Sequence, residues 1–302
     1  MLQTAINALA LGSVYALMAV GIGLVFGVLR LVNFAYGQLI MAGAFALGYA
    51  SREGWPTWAA ILACFAVVIA LSLAMEVAVF RPLRTQSPAV MLVATFAVAF
   101  LLQSIALLLV LKVQGQLGVP ASTVAQLSRA ITIGGVEVRK VTIVAVVVAA
   151  LALALLALLL GRTSIGLQMR AASADFTTSR LLGVSANRVI TIAVLLSGLI
   201  AAAVAVLLTA RTPYVQSDFA LIDTIIVLVG VVVGGIDSLG SATLGGFALG
   251  FATSFLAAKL PVFGLGDPKY LYSAVFALVV IVLLLRPGGL FARRGQRAVE
   301  RV

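Results

Sequence analysis

The chain has 302 residues, of which 63% are apolar and only 10% charged, and its formal net charge is +11. Soluble proteins average about a quarter charged residues, so the composition excludes a water-soluble globular domain and points to a polytopic membrane protein. The basic residues are scattered among short loops and the tail and form no basic face interleaved with aromatics, so no nucleic-acid partner is expected.

Nine apolar stretches follow one another, at about 7–29, 34–50, 57–80, 89–111, 141–161, 189–210, 219–236, 241–258 and 270–285. A helix crossing the hydrocarbon core needs about 20 residues. The second, seventh, eighth and ninth stretches are at or below the short end, as broken or re-entrant helices would be. The expectation is an all-α bundle of eight to ten spans forming a single transmembrane domain over 1–302. The first positive charge, Arg30, follows the first stretch, whereas a signal peptide places charge ahead of its apolar run, so this span is expected to be kept.

If all nine stretches cross, one side receives twelve basic residues: Arg30, Arg81, Arg84, four arginines within 162–188 and five from Arg286 onward. The other side receives eight, four of them in the long loop 112–140, and long loops translocate despite their charge. The arginine-rich side is therefore read as cytoplasmic, together with the C-terminus. In the outer loop 112–140, Ile131, Ile133, Val136 and Val138 alternate around Gly134-Gly135 and predict a small hairpin. That loop is either a surface for an external partner or an idle connection.

Residues 162–188 interrupt the apolar runs with four arginines and one acid, Asp175. Each arginine would cost roughly 2.5–3.5 kcal/mol at the centre of a spanning helix, so the segment belongs in water or against another protein. It reads as a short helix capped by Ser173, with Asp175 in the first turn, Arg180 near the end and Gly183-Val184 as a left-handed stop. Met169, Ala172 and Phe176 give it a narrow apolar stripe. Two readings stay open here, a docking helix and an ordinary cytoplasmic loop.

Polar residues at membrane depth are functional candidates. Asn33, Tyr36 and Gln38 open the short second stretch and could border a cavity; Gln103 interrupts the fourth. Asp223, a turn from Asp218, either lines a vestibule or is interfacial. Glu76 has an ordinary explanation in Arg81 and Arg84 nearby. Gly234-Gly235-Ile-Asp-Ser-Leu-Gly240 reads as a tight turn between two spans, and Gly246 and Gly250 make a small-xxx-small pair suited to close helix packing. Gly43–Ala50 and Gly245–Ala252 agree at six of eight positions, an echo that fits either duplicated halves or chance in low-complexity sequence.

The absences narrow function further. The sequence has no histidine and one cysteine, Cys64, so neither a disulfide framework nor a thiolate metal site is available. It has no Gly-x-x-x-x-Gly-Lys-Ser/Thr phosphate loop. No nucleophile–base set is present, and no ladder of intramembrane acids of the kind a proton- or sodium-coupled carrier uses. No catalytic residue, cofactor or metal is expected, and energy for transport would have to enter from another subunit.

Four signatures in order resemble the permease subunits of branched-chain amino-acid ABC importers, the LivH type. They are Asn7-Ala-Leu-Ala-Leu-Gly-Ser-Val-Tyr-Ala-Leu17 with Val32-Asn-Phe-Ala-Tyr-Gly37; Gly161-Arg162, Gly166, Arg170-Ala171, Asp175 and Leu182-Gly183-Val184; Gly234-Gly-Ile-Asp-Ser238 with Gly245-Gly246; and Arg286-Pro-Gly-Gly-Leu-Phe291. The resemblance implies a vitamin-B12-permease-like bundle in the bacterial inner membrane, surrounded by lipid. A second permease subunit, identical or not, two cytoplasmic ATPase subunits and a periplasmic solute-binding protein would complete it. The implied coupling element comprises Arg170, Ala171, Asp175, Phe176, Arg180, Leu182, Gly183 and Val184, and the implied pathway uses Asn33, Tyr36, Gln38, Gln103 and Asp223. The chain departs from the family pattern at Tyr36 and Gln38, where a histidine and an acid are expected, at Asp237 and Leu239, and near Ile226, where a lysine is usual. The implied solute is a branched-chain amino acid or a related small polar molecule. The alternatives are an ABC permease for urea or short amides and a stand-alone secondary carrier.

Overall fold

The structure, a computed structural model, describes residues 2–29, 33–83, 86–114, 117–122, 124, 130–133, 136–174, 176–235, 238–263, 267–286 and 290. Each of the nine apolar stretches folds as a helix: α1 (Leu2–Leu29), α2 (Tyr36–Arg52), α3 (Thr57–Met75), α5 (Pro88–Gln114), α6 (Lys140–Arg162), α9 (Ala186–Arg211), α10 (Leu221–Gly234), α11 (Leu239–Lys259) and α12 (Pro268–Leu285). α3 continues through a π-turn at Glu76–Phe80 into a single helical turn, α4 (Arg81–Leu83). Six of these segments are long and apolar enough to cross a bilayer, and Leu221–Gly234 and Tyr270–Leu285 are shorter apolar helices. α10, at 14 residues, is about 21 Å long at 1.5 Å per residue. It falls well short of the roughly 30 Å hydrocarbon core.

α1 is the buried axis of the bundle. It packs against α6, α9, α10 and α11, while α5 and α6 leave most of their apolar surface outward. Backbone approach between helices is close enough to demand glycine. A Cβ on Gly245 would lie 2.1 Å from the Gly230 carbonyl oxygen in α10. One on Gly246 would lie 2.8 Å from the Tyr15 carbonyl oxygen in α1. Small residues permit such contact, where dispersion and weak polar contacts replace the hydrophobic drive that lipid removes. In the echoed segment of α2, Gly43 meets Cys64, Val68 and Ala205 of α3 and α9.

The bundle is not purely helical. β2 (Ala130–Ile133) and β3 (Val136–Arg139) pair antiparallel with Ile133 opposite Val136, as the alternation in that loop predicts. A second ribbon, not foreseen, joins β1 (Gly118–Pro120) to β4 (Tyr214–Gln216) with Val119 opposite Val215. It ties the 112–140 loop to the linker after α9, and Ala121 N–H extends it by donating to the Pro213 carbonyl at 2.9 Å.

The segment after α6 also differs in detail from expectation. Its first helix, α7 (Ser164–Ala174), starts nine residues before Ser173. Ser173 lies in its last turn and donates its hydroxyl to the Arg170 carbonyl at 2.8 Å instead of opening a helix. The expectation took Ser173 for the cap because the first acid follows it, but the turn at Thr163 already starts a helix: Thr163 Oγ1 accepts from Gly166 N–H at 3.0 Å. A second short helix, α8 (Phe176–Leu181), ends as predicted, with Gly183 at φ +88° and Val184 N–H donating to the Ser179 carbonyl at 3.1 Å.

At the same end of the bundle, the expected turn between α10 and α11 is present. Gly235 sits at φ +111°, Ser238 caps α11 by accepting from Ser241 N–H at 3.1 Å, and Ser241 donates to the Gly235 carbonyl at 2.6 Å. Leu290 N–H donates to the Val233 carbonyl at 2.7 Å, which places Leu290 against the end of α10. Asp237, one of the departures from the family pattern, lies outside the described residues.

Candidate functional site

The two short helices α2 and α10 begin inside the bundle and meet at their N-termini. Asn33 is buried, and its side-chain oxygen accepts from Ala35 N–H at 3.0 Å, turning the chain into α2. Ala220 adopts φ +63°, the one non-glycine residue with positive φ among the described residues, and starts α10. The Thr224 hydroxyl then donates to the Ala220 carbonyl at 2.6 Å. A Cβ on Gly37 would lie 2.5 Å from Thr224 Oγ1, so the first turns of α2 and α10 touch through a glycine.

Beside this contact lies a cavity of about 160 Å³ between α2, α5 and α10. Gln38, Gln103 and Thr224 supply its polar lining, and Phe34, Phe96 and Phe100 close one wall. The three rings form a ladder of edge-on contacts, with centroids 5.7 Å apart for Phe34–Phe96 and 4.8 Å for Phe96–Phe100. Gln38 is fully buried, yet neither its amide oxygen nor its amide nitrogen has a hydrogen-bond partner among the described residues. An unpaired buried amide costs about 1–3 kcal/mol; such a group is expected where water or a polar solute completes it.

The structure thus brings together two of the five sequence-predicted pathway residues, Gln38 and Gln103, in one cavity. Tyr36 stands behind them, fully buried against Gly21, with its hydroxyl unpartnered among the described residues. Asn33 positions the turn. Asp223 is not in this cavity: it projects towards α1, where the Tyr15 hydroxyl donates to its carboxylate, and it interacts electrostatically with Arg211 at the end of α9. Tyr15, Arg211, Thr224 and the phenylalanine ladder were not singled out in the sequence. Tyr15 stands inside the first signature and Arg211 is one of the scattered loop charges; in sequence alone neither has a partner to give it meaning.

Glu76 has the partner expected of it. It is buried and accepts from the Arg81 guanidinium at 3.2 Å, and Thr191 donates to its other oxygen at 3.1 Å. The ion pair sits at the π-turn, and the Thr191 hydrogen bond links that turn to α9.

Along the predicted coupling segment, Met169 and Ala172 are buried in the bundle, whereas Arg170 is exposed. Leu181 and Leu182 are 84% and 80% exposed, the most solvent-facing large apolar residues described. Gly183 is exposed beside them, and Ala171 and Val184 are half-buried. Asp175 lies outside the described residues, as do the side chains of Phe176 and Arg180. The apolar stripe read from the sequence therefore faces inward at Met169 and Ala172, and the leucine pair beyond it is presented outward. Among the described residues, no group of three or more histidine, cysteine, aspartate or glutamate side chains could hold a metal ion.

Residues 4–285 match a family model described as branched-chain amino acid transport system / permease component. The chain is 30% identical over 303 residues to the high-affinity branched-chain amino acid transport system permease protein BraD of Pseudomonas aeruginosa, covering 97% of this chain and 96% of that one. It is 28% identical over 309 residues to LivH of Escherichia coli K12, again covering 97% and 96%. Among solved structures, PsaBC of Streptococcus pneumoniae in complex with Fab superposes with a TM-score of 0.54 at 14% identity, covering 93% of this chain and 91% of that chain. A chain described as a metal-chelate type ABC transporter in an inward-facing conformation superposes with a TM-score of 0.54 at 20% identity, covering 94% and 87%. At those identities the structural likeness speaks for the fold alone.

Proposed function

Since this chain belongs to the branched-chain amino acid transport system permease family, we propose that it is the membrane subunit of an ATP-driven importer that passes branched-chain amino acids or a related small polar solute. The single observation that carries the pathway assignment is the meeting of α2 and α10 inside the bundle beside the unpartnered Gln38 amide. Helices that start at mid-depth expose backbone N–H groups and a positive dipole end to a cavity, an arrangement suited to polar solutes in a membrane. Gln38 and Gln103 offer donors and acceptors, Asn33 and Tyr36 hold the turn behind them, and Asp223 braces α10 through Tyr15.

In this reading eight to ten segments cross the bacterial inner membrane, and the C-terminus and the 162–188 segment face the cytoplasm. The sequence carries no phosphate loop, so ATP hydrolysis belongs to two separate cytoplasmic subunits, and a second permease subunit completes the pathway. A periplasmic binding protein delivers the solute. The ATPase grips the segment from Arg170 to Val184, where Arg170, Leu182 and Gly183 are exposed and Asp175, Phe176 and Arg180 flank them in sequence.

The test is reconstitution. Proteoliposomes containing the chain with its ATPases, partner permease and binding protein are expected to accumulate radiolabelled leucine only with ATP inside the cytoplasmic-facing compartment. Leucine exchange by the chain alone would make it a secondary carrier, and uptake of urea or acetamide in preference to leucine would reassign the solute.

A further inference from the structure

A second, larger cavity lies where α1 begins and α9 and α11 finish, and is not part of the Gln38 site. Its volume is about 730 Å³, inside the roughly 300–1,000 Å³ range of small-molecule pockets. The N-terminal turns of α1 and α6, the last turns of α9 and α11 and the β2–β3 hairpin line it. α6 runs from this cavity directly to the 162–188 segment, so the two sites sit at opposite ends.

The lining is unusual for a membrane bundle. Gln3, Asn7, Thr142 and Ser254 supply neutral polar groups, and Arg139 and Arg211 supply two cations. No acid is among the described lining residues. The two guanidinium groups repel each other, and Asp223, which also holds the Tyr15 bond, is the acid that offsets Arg211. Arg211 Nη1 is completely buried and has no hydrogen-bond partner among the described residues. A buried guanidinium N–H left unpaired is costly, and guanidinium presents a planar fork that matches a carboxylate.

We propose that this cavity is a binding site for a small carboxylate, held by Arg211 with Arg139 at its rim. Resting on the importer reading for the identity of the natural solute, the proposal makes the cavity a station for the α-carboxylate of the arriving amino acid, distinct from the Gln38 cavity deeper in the bundle. The apolar walls from Ala10, Ala145 and Ala257 leave room for an aliphatic side chain.

The experiment is calorimetric titration of the full-length chain in lipid nanodiscs with three probes. L-Leucine carries both charged groups, 4-methylpentanoate keeps only the carboxylate, and leucinol keeps only the ammonium. L-Leucine and 4-methylpentanoate are expected to bind, with leucinol at least tenfold weaker. Arg211→Gln is expected to weaken both carboxylates at least tenfold, Arg211→Lys to restore part of the loss, and Arg139→Gln to have a smaller effect. Ala258→Phe, which puts a bulky side chain at an exposed lining position, is expected to block all binding, and it serves as the second variant should Arg211→Gln fail to fold. Leucinol binding as tightly as L-leucine, or unchanged carboxylate affinity in Arg211→Gln or Ala258→Phe, overturns the site. ATP-driven leucine uptake by the assembled transporter separates the two ideas. Uptake without carboxylate binding here sinks the cavity site alone, and carboxylate binding without any leucine uptake sinks the importer reading alone.

Discussion

The Tyr15 hydroxyl donates to the Asp223 carboxylate, joining the middle of α1 to the first turn of α10 across 208 positions of sequence. That bond fixes the depth at which α10 begins, and with it the contact between Gly37 and Thr224 beside the Gln38 cavity.

Removing the donor should therefore loosen α10. Tyr15→Phe leaves the carboxylate short of a hydrogen bond inside the bundle and is expected to destabilise the chain by about 1–3 kcal/mol. Asp223→Asn keeps a polar partner for Tyr15 but leaves Arg211 without its offsetting charge, and is expected to cost at least as much. Thermal unfolding of both variants in detergent measures the order, and a Tyr15→Phe protein as stable as wild type would show that the bond does not hold α10.

Two glycines in different helices give a matched pair. A methyl on Gly245 would meet the Gly230 carbonyl at 2.1 Å, whereas one on Gly27 meets nothing within 4 Å. Gly245→Ala is expected to push α10 and α11 apart at about 1–3 kcal/mol, and Gly27→Ala to be neutral or stabilising by up to about 1 kcal/mol through helix propensity. Comparative melting of the purified variants checks the contrast, which disappears if the helices can slide apart freely.

The Glu76–Arg81 pair should show its asymmetry. Glu76 is 2% exposed and the Arg81 side chain 46% exposed, so losing the arginine strands the buried acid while losing the acid frees a solvated base. Arg81→Ala is expected to cost about 1–3 kcal/mol, reduced from the fully buried case by solvent access to the arginine. Glu76→Gln, still able to accept from Thr191, is expected to cost less. Equal losses in the two variants would argue against a one-sided burial.

The coupling segment divides into a buried half and an exposed half. Leu181→Asp with Leu182→Asp is expected to cut co-purification of the ATPase subunits at least tenfold and leave the melting of the permease alone unchanged. Met169→Ala, in contrast, removes a buried side chain and is expected to destabilise the permease by about 2–5 kcal/mol. Undiminished ATPase capture by the leucine variant would move the docking surface elsewhere.

Gln38→Leu tests the pathway. It replaces an unpartnered buried amide with an apolar group of similar size, and so is expected to preserve or raise stability while lowering ATP-driven uptake at least tenfold. Full uptake by this variant would remove Gln38 from the pathway.

How far the sequence reaches is visible at particular residues. Each apolar run sets a helix of the bundle, because a long uncharged stretch in a membrane has no other way to satisfy its backbone. The stop at Gly183 and the turn at Gly235 were legible too, since a positive φ favours glycine and a glycine after a helix announces it. Glu76 could be matched to Arg81 by eye, being five positions apart. The same local logic misled at Ser173, where an acid in the right place suggested a cap that Thr163 had already pre-empted with a turn ten positions earlier.

By itself, then, the sequence determined that this is a membrane bundle, where its helices run, where its charged segment lies between them, and which family its signatures belong to; each of these follows from the order of polar and apolar residues along the chain. Only the tertiary structure decided that Asp223 belongs to Tyr15, that β1 pairs with β4, that Gln38 and Gln103 share a cavity, and that Arg211 lines another. Those are contacts between residues far apart in the chain. They are set by which helix faces fit closely, and in so uniformly apolar a sequence no periodicity tells one face from the next.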